Sequence, residues 1–598
     1  MIILDIKKAV NSAFKKAFSW QPPEIELVNA EPQFGDFALA CHPFAKELKL
    51  SPQEIAAKLA AGLASKSIAK AEAQAGYLNI TVQTKTLGDE VLSAIIKEGR
   101  HYGASSGKKE KVLVEYSSPN TNKPLHLGHI RNNILGMAFS NLLELSGNKV
   151  VKNQIINDRG IHITKSMVAY QKWGEGKTPE EAGEKGDHFV GRFYVLFEKE
   201  FEREWQEYAL TQPQFSLLSS EELAKKRQDF FSQSKIGVAA QEKLRDWEAG
   251  DKAARELWQK MNSWVYDGFG ETYKLLGSHF DKNYYESETY LSGKKIISAG
   301  LKKGVFYQEA DNSIWIDLTG VGLDKKVLQR SDGTSVYITQ DLGLAVARQK
   351  EWKFNRAVYV VGHEQEYHFR VLFAILKRLG FKWAANLQHL SYGLVFLPEG
   401  KMKSREGKVV DADAIIKEVK ALALVEIKKR FPELPESEAH ERSAVIGLGA
   451  LKFFLLRVTS TQAIHYNPAE AIAFEGATGP YVQYAHARIA SILKEETPIA
   501  PGKIDFAKLG SQEEKVLLLK LLSFPKTVAQ ATAGCSPNLV CDYLVNLSQA
   551  FNSFYHQHQV LRAEDEETKH ARLLLIKAVQ IVLRNGLGLL GIQAPEKM

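Results

Sequence analysis

The stretch SSPNTNKPLHLGHIRNN (117–133) places His126 and His129 around Gly128, with Lys123 three residues before the first histidine. Imidazoles at such a position can donate hydrogen bonds to phosphate oxygens and take up charge as negative charge develops in a transition state. Gly128 lacks a side chain, so a flat base can lie against its backbone. Lys123 adds a cation.

A second chemical element follows much later in the chain. The loop LPEGKMKSREGKVV (397–410) carries Lys401, Lys403, Arg405 and Lys408 among its glycines. A flexible cationic loop of this kind can close over a polyphosphate and stabilise charge moving onto a leaving pyrophosphate. Read alone, such a run is also what a solvated charged face looks like.

The elements around the first motif explain how it would be presented. KVLVEY (111–116) is a short apolar run of the kind that makes a buried parallel strand. Beyond the motif, Ile130, Ile134, Ala138, Leu142 and Leu145 recur at spacings of three and four, the signature of one helix face. Ser146-Gly147-Asn148 supplies a stop, and VVKNQII (150–156) a second strand. The histidines thus sit at the first turn of a strand–helix–strand unit. A helix N-terminus there presents unpaired N–H groups and a partial positive charge, which suit phosphate.

Residues 1–105 read as a small α+β module, with a helical stripe on Ile6, Val10, Ala13, Phe14 and Phe18. Ser51-Pro52-Gln53-Glu54 has capping-box spacing, YLNITV (77–82) reads as a strand and 99–109 as a linker. A span rich in Lys, Glu and Trp with helical spacing (165–280) reads as an insertion. SIWIDL (313–318), SVYIT (335–339) and AVYVVG (357–362) then read as strands alternating with helices, as in an α/β sheet. Beyond about 440 the pattern is helical, without strands. The expected divisions are 1–105, 106–395, 396–465 and 466–598.

With 598 residues the chain is too long for one core. Its 44% hydrophobic and 25% charged residues are ordinary for a globular protein. The net charge of +8 and pI near 8.9 are compatible with a polyanionic partner without requiring one. Three separated cysteines, Cys41, Cys535 and Cys541, speak against a disulfide framework or a thiolate zinc site and favour a reducing compartment. No stretch has the length of a membrane span or the look of a signal peptide, so a cytoplasmic protein with no membrane partner is expected.

The two motifs together carry a family resemblance. HLGH (126–129) resembles the "HIGH" signature of class I aminoacyl-tRNA synthetases, and KMKSR (401–405) resembles their "KMSKS" loop. The fuller run, with Asn120, Lys123, His126 and His129 three apart, is similar to the arginyl-tRNA synthetase version. RSDGTSVYITQDLGLA (330–345), Gln365-Glu366-Tyr367-His368 and GPYVQYAHARIASI (479–492) resemble further segments of that family. The resemblance implies a multidomain α/β protein: a Rossmann-type parallel-sheet catalytic domain, a small α+β N-terminal domain and an all-α C-terminal anticodon-binding domain. It departs at Ser404, where the loop usually has lysine. In this family a lysine upstream of the first motif stands in for it, and Lys123 holds that position. The sequence leaves open whether Lys403 or Arg405 also reaches the phosphates.

The implied reaction is activation of arginine by ATP with Mg²⁺, then transfer to the terminal ribose of arginine tRNA, by resemblance to its 2′-hydroxyl. The family implies a first step that requires bound tRNA, and a monomer. His126, His129 and Lys123 would act catalytically; Gly128, His363, Lys401, Met402, Lys403, Ser404 and Arg405 would contact ATP. A guanidinium needs carboxylates in bidentate geometry. Tyr337 and Asp341, four apart in YITQD, can point into one pocket; Asp341 is the expected guanidinium partner, Tyr337 adds shape and a hydroxyl, and Glu286 is the second anion. By resemblance Asn120 and Gln365 hold the ammonium and carboxylate end, and Ser117 is grouped with them. No protein-held metal is expected: His363 and His368 lack an accompanying ligand set. For tRNA, stacking on aromatic rings is the expected mode, with Phe34 in the first module and Tyr481, Tyr555 and Met598 near the C-terminus as candidates. A small-molecule nucleotidylyltransferase would share the HxGH turn but is usually far shorter. A cysteine-specific class I enzyme would bring zinc-binding thiols, and a non-catalytic RNA-binding relative would have no use for the phosphate turn.

Overall fold

A computed structural model of the chain describes all residues except Met1, Pro32, Ser105, Ser106, Lys108, Leu291, 397–410 and Thr497. It divides into two compact units. One comprises Met1–Ser105, Ala473–Gln530 and Leu539–Met598; the other comprises Ser106–Ile472 and Ala531–Asn538.

In the first unit the N-terminal stripe forms the helix Ile2–Phe18, burying Ile2, Ile6, Val10, Ala13 and Phe14. Strands β1 (Val28–Asn29), β2 (Phe37–Ala40), β3 (Ile68–Gln74) and β4 (Tyr77–Val82) make an antiparallel sheet in the order β1-β2-β4-β3. The β3–β4 hairpin turns through Ala75 and Gly76, both at positive φ. Ser51 caps the helix Pro52–Gly62 as its spacing predicts: its hydroxyl accepts the Glu54 N–H, and the Glu54 carboxylate accepts the Ser51 N–H. The C-terminal part is helical, with Gly479–Glu495 and Glu566–Leu589 among its long helices.

In the second unit β5 (Lys111–Glu115), β6 (Lys149–Ile156) and β7 (Lys282–Tyr285) begin a sheet. Next come β8 (Tyr307–Gln308), β9 (Ile314–Ile316) and β10 (Lys326–Gln329). They are followed by β11 (Arg356–Gly362), β12 (Leu387–Tyr392), β13 (Val395–Phe396) and β14 (Ile464–His465). The main sheet is parallel throughout, in the order β12-β11-β5-β6-β7. The chain runs from β5 outward to β6 and β7, then returns to place β11 on the other side of β5. The β5–β11 gap is therefore the switch point where such sheets open a crevice at their strand ends.

The expected helical insertion lies between β6 and β7, built from Ile161–Trp173, Gly186–Leu210, Lys235–Ala249 and Lys252–Leu276 with shorter helices. Its aromatic content is packing: Phe193 meets Tyr170 and Phe189 edge-on at 5.2 and 5.1 Å, and Phe189 meets Trp264 at 5.5 Å.

Three readings need correction. SVYIT is not a strand: Val336 is the extended residue before the helix Tyr337–Trp352. β-branched and aromatic composition suggested a strand, but the buried residues Ile338, Leu342 and Ala345 recur at helical spacing. SIWIDL contributes β9, which pairs antiparallel in a separate sheet with β8 and β10. The region beyond 440 is not free of strands, since β14 pairs with β13; at two residues it was too short to be legible.

Helix Leu127–Leu145 lies close against the end of β5, because a Cβ at Gly136 would fall 2.3 Å from Cγ of Tyr116. Gly136→Ala should lower the stability of this unit by about 1–3 kcal/mol, read as an earlier midpoint in the near-ultraviolet circular dichroism melt. Melting together with the wild type would show that the helix can retreat at no cost.

Candidate active site

β5 leads directly into a strained turn. Ser117 and Ser118 both have positive φ, at 74° and 50°, a conformation that costs free energy outside glycine. Side chains hold it: the Ser117 N–H donates to Asn132 Oδ1, and its hydroxyl meets Tyr273 Oη at 2.7 Å and Asn133 Nδ2 at 3.0 Å.

The chain then enters the helix Leu127–Leu145 with His126 as its N-cap. Nδ1 of His126 accepts the Gly128 N–H at 3.2 Å, and Nδ1 of His129 accepts the His126 N–H at 3.2 Å. With each Nδ1 accepting, the neutral imidazoles carry their hydrogen on Nε2, the donor left for a ligand. The rings lie 3.9 Å apart. Burial, reinforced by the charge of Lys123, pushes His126 down to about 3. The same burial, with His126 and Lys123 nearby, holds His129 well below the ordinary histidine value. Both are therefore uncharged near neutral pH. A Cβ at Gly128 would stand 3.1 Å from the folded-back His126 ring, a tight contact that the ring would have to yield to.

These groups border a cavity of about 370 Å³ at the β5–β11 switch point. Lys123, His126, Gly128 and His129 form one side; Gly362, Glu364 and Gln365 face them beyond the end of β11. Ser117 also lines it. Asn120 does not: it is exposed, its backbone bridged to Asn157. His363 is exposed on the His363–Gln365 turn and is not among the residues lining the cavity. Lys401, Met402, Lys403, Ser404 and Arg405 lie outside the described residues.

A cluster of carboxylates sits in the same unit. Glu286, buried at the start of a short turn after β7, has its carboxyl pushed up to about 7, chiefly by burial. Arg159 opposes that rise, while the charges of Asp158 and Asp341 add to it. Asp158 already accepts hydrogen bonds from the Ser287 N–H, the Ser287 hydroxyl and Tyr266. Asp341, on the first turns of Tyr337–Trp352, keeps one oxygen 2.6 Å from His368 Nε2. Thus the carboxylate missing from the reading of His368 is Asp341, a single partner and not a metal-ligand set. Tyr337 opens the same helix and stands 77% exposed. Gln365 lines the cavity and His368 follows three residues later, so one short segment connects the two clusters.

Family models match almost the whole chain. Residues 91–466 match tRNA synthetases class I (R), catalytic domain; 482–598 match the DALR anticodon binding domain; 4–82 match the arginyl tRNA synthetase N terminal domain. The chain belongs to the arginyl-tRNA synthetases. It is 43% identical to the arginine–tRNA ligase of Phocaeicola vulgatus, over 99% of this chain and 98% of that one. It is 45% identical to that of Treponema denticola, over 96% and 95%. The Thermus thermophilus arginyl-tRNA synthetase structure superposes with a TM-score of 0.78 at 26% identity, covering all of both chains.

In this arginyl-tRNA synthetase several residues that shape the cavity escaped sequence reasoning. Asn132 donates to Val360 O at 2.7 Å and to Tyr392 Oη at 3.1 Å while accepting from Ser117. Arg131, fully buried, donates to the carbonyls of Gly393, Leu394, Ser460 and Gln462 at 2.6–3.3 Å. The available signal was the polar run Arg131-Asn132-Asn133 inside an otherwise apolar helix.

The candidates for tRNA fall in the other unit. Phe34 is half-buried and lines a cavity of about 320 Å³ beside the exposed Val28 and Tyr77. Tyr481 is half-buried and accepts from Asn552 Nδ2 at 2.9 Å. Tyr555 is exposed, stacks on the buried Phe551 at 5.9 Å, and shares the Arg488 guanidinium with Tyr484. Met598 is buried, at the end of a segment tied to Gly479–Glu495 by Gln483 donating to Gln593 O and by His486 contacting Pro595 O.

Between pH 5.5 and 8, nitrogen NMR of ring-labelled histidine should show His126 and His129 as neutral Nε2–H tautomers that do not titrate. A titration near 6.5 assigned to either, by its loss in the alanine variant, would contradict the capping geometry.

Proposed function

We infer that this arginyl-tRNA synthetase activates arginine with ATP and esterifies the 3′-terminal ribose of arginine tRNA. The carrying observation is the linkage, through Gln365 and His368, of a donor-lined cavity to the carboxylate cluster of Glu286 and Asp341. Polyphosphate suits the first and a guanidinium the second.

An oxygen of the arginine carboxylate attacks the α-phosphorus of ATP; a new P–O bond forms, the bond to the β,γ-diphosphate breaks, and pyrophosphate leaves. His126 and His129 donate Nε2–H bonds to phosphate oxygens, and Lys123 balances charge as it moves to the leaving group. The terminal ribose hydroxyl then attacks the acyl carbon of arginyl-adenylate, AMP leaves, and the hydroxyl proton departs with it. Asp341 and Glu286 grip the guanidinium, with Asp341 oriented by His368. Asn120, Ser117 and Gln365 are assigned to the ammonium and carboxylate end, Tyr337 to the exposed rim of the pocket, and Gly128 and His363 to the nucleotide. The donor set fits a magnesium ion carried in by the nucleotide: among the described cavity-lining residues Glu364 is the one carboxylate, so ATP phosphates would hold the ion. Such an ion balances phosphate charge. Phe34, Tyr481, Tyr555 and Met598 are assigned to the tRNA-facing surfaces, with Tyr555 the ring most open to a base.

Charging of total tRNA should occur with radiolabelled arginine alone among the twenty amino acids, and His129→Ala should lower kcat by roughly 10²–10³. Label from a different amino acid would refute the assignment of the acidic pocket; tight tRNA binding without charging would refute the enzyme.

The raised Glu286 gives a pH signature. Below about 7 its carboxyl is protonated and cannot pair with a guanidinium; above, it can. The KM for arginine should therefore fall as pH rises from 6 to 8, and Glu286→Gln should raise KM roughly tenfold while flattening that dependence. A variant with the wild-type profile removes Glu286 from the arginine site.

A further inference from the structure

The turn that presents His126 is held from outside the sheet. The helix Ala412–Arg430 starts against it: the Ala412 N–H donates to Leu125 O at 2.8 Å, and Asp411 forms a bridge with His126. Two residues into that helix region, Asp413 is clasped from two sides. Its Oδ2 lies 2.7 Å from Lys185 Nζ and 3.0 Å from His188 Nε2, and its Oδ1 accepts the Thr272 hydroxyl at 2.9 Å. Lys185 also meets the fully buried Asp187 at 3.2 Å, and His188 stands 3.9 Å from Asp411.

One of the clasping elements also touches the turn directly. Helix Gly186–Leu210 lies so close that a Cβ on Gly191 would fall 2.8 Å from Cδ of Pro124. Helix Lys252–Leu276 brings Thr272, and its Gly268 leaves room for the Asp187 carboxylate. Asp187, His188 and Asp413 have the spacing of cation ligands, but the cation is already present: Lys185 fills that position.

We propose that Asp413, with Lys185, His188 and Thr272, is a positioning device for the reaction: it fixes the Lys123–His126 backbone, and so the direction of the His126 Nε2–H. None of these four residues lines the cavity. The proposal rests on the function inferred above, because His126 matters only if phosphate binds there. Its physical basis is that a few tenths of an ångström at a pre-set donor change transition-state stabilisation while leaving a remote substrate pocket untouched. Burial works against the charge of Asp413, yet the hydrogen bonds from His188 and Lys185 hold its carboxyl below the usual range, as a permanent clasp requires.

The test is a mutant cycle in arginine-dependent ATP–pyrophosphate exchange with tRNA present. Asp413→Asn should lower kcat about 5–20-fold with the KM for arginine unchanged within about twofold. In a His126→Ala background the same change should cost less than about twofold, because the group it positions is gone. His188→Ala, at a partly exposed residue, should behave alike and serves where Asp413→Asn fails to fold; His188→Gln, which keeps a donor, should recover most of the rate. Full multiplicative loss in the His126→Ala background overturns the proposal, as does an unchanged kcat. A reading without turnover separates this from failure of the functional inference: Asp413→Asn should shift the His126 ring-nitrogen signals in the free protein, and unmoved signals overturn the proposal whatever the enzyme catalyses.

Discussion

The site depends on one amide. Asn132 lies where the parallel sheet parts, between β5 and β11, and joins the Ser117 N–H after β5, the Val360 carbonyl of β11 and the Tyr392 hydroxyl of β12. A gap at a switch point exists in any sheet of this order; the width of this one is set by a buried side chain with donors and acceptors on three segments. Arg131, its neighbour, binds the same helix to the segments at 393–394 and 460–462 through four carbonyls. No carboxylate accompanies it among the described residues, and burial lowers its pKa to about 10. Its two terminal nitrogens reach backbone carbonyls only, so its contribution is geometric: a planar fork that holds these two segments of backbone in place.

Much of this architecture was legible because it obeys periodicity. The strand–helix–strand unit followed from apolar spacing at 111–156, the Ser51 cap from its four-residue pattern, and the insertion from its helical stripes. The misreadings fall where local composition and packing disagree. In SVYIT, Val336 and Tyr337 favour a strand, but burial of Ile338, Leu342 and Ala345 makes a helix. At the site, His126, Gly128, His129 and Lys123 could be read because their chemistry is local in sequence. Arg131 and Asn132 could not, because apart from Ser117 their partners lie more than two hundred residues away and are mostly backbone carbonyls, which have no residue identity. Glu286 and Asp341 could be named by type, while their mutual influence required the fold.

Electrostatically, the two halves of the site follow opposite rules. At the cavity proposed for phosphate, burial keeps both histidines neutral, so each is an oriented dipole. Lys123 is the one permanent cation among the described residues lining that cavity. At the carboxylate cluster proposed for arginine, burial and two neighbouring carboxylates raise Glu286. An incoming guanidinium would relieve precisely that repulsion, restoring charge to the group that binds it. A neutral side chain at that cluster would leave the repulsion standing.

Lys123 connects these two regimes. Its charge helps keep His126 and His129 unprotonated, and a neutral imidazole retains a fixed Nε2–H donor while its Nδ1 caps the helix. A protonated imidazole would have to surrender that cap, since Nδ1–H cannot accept from the backbone. One lysine therefore has two effects: it places a permanent charge at the cavity proposed for phosphate, and it preserves the hydrogen-bond pattern that aims both donors. Separating charge from direction in this way lets the turn hold a constant geometry across the pH range in which the carboxylate pocket changes state.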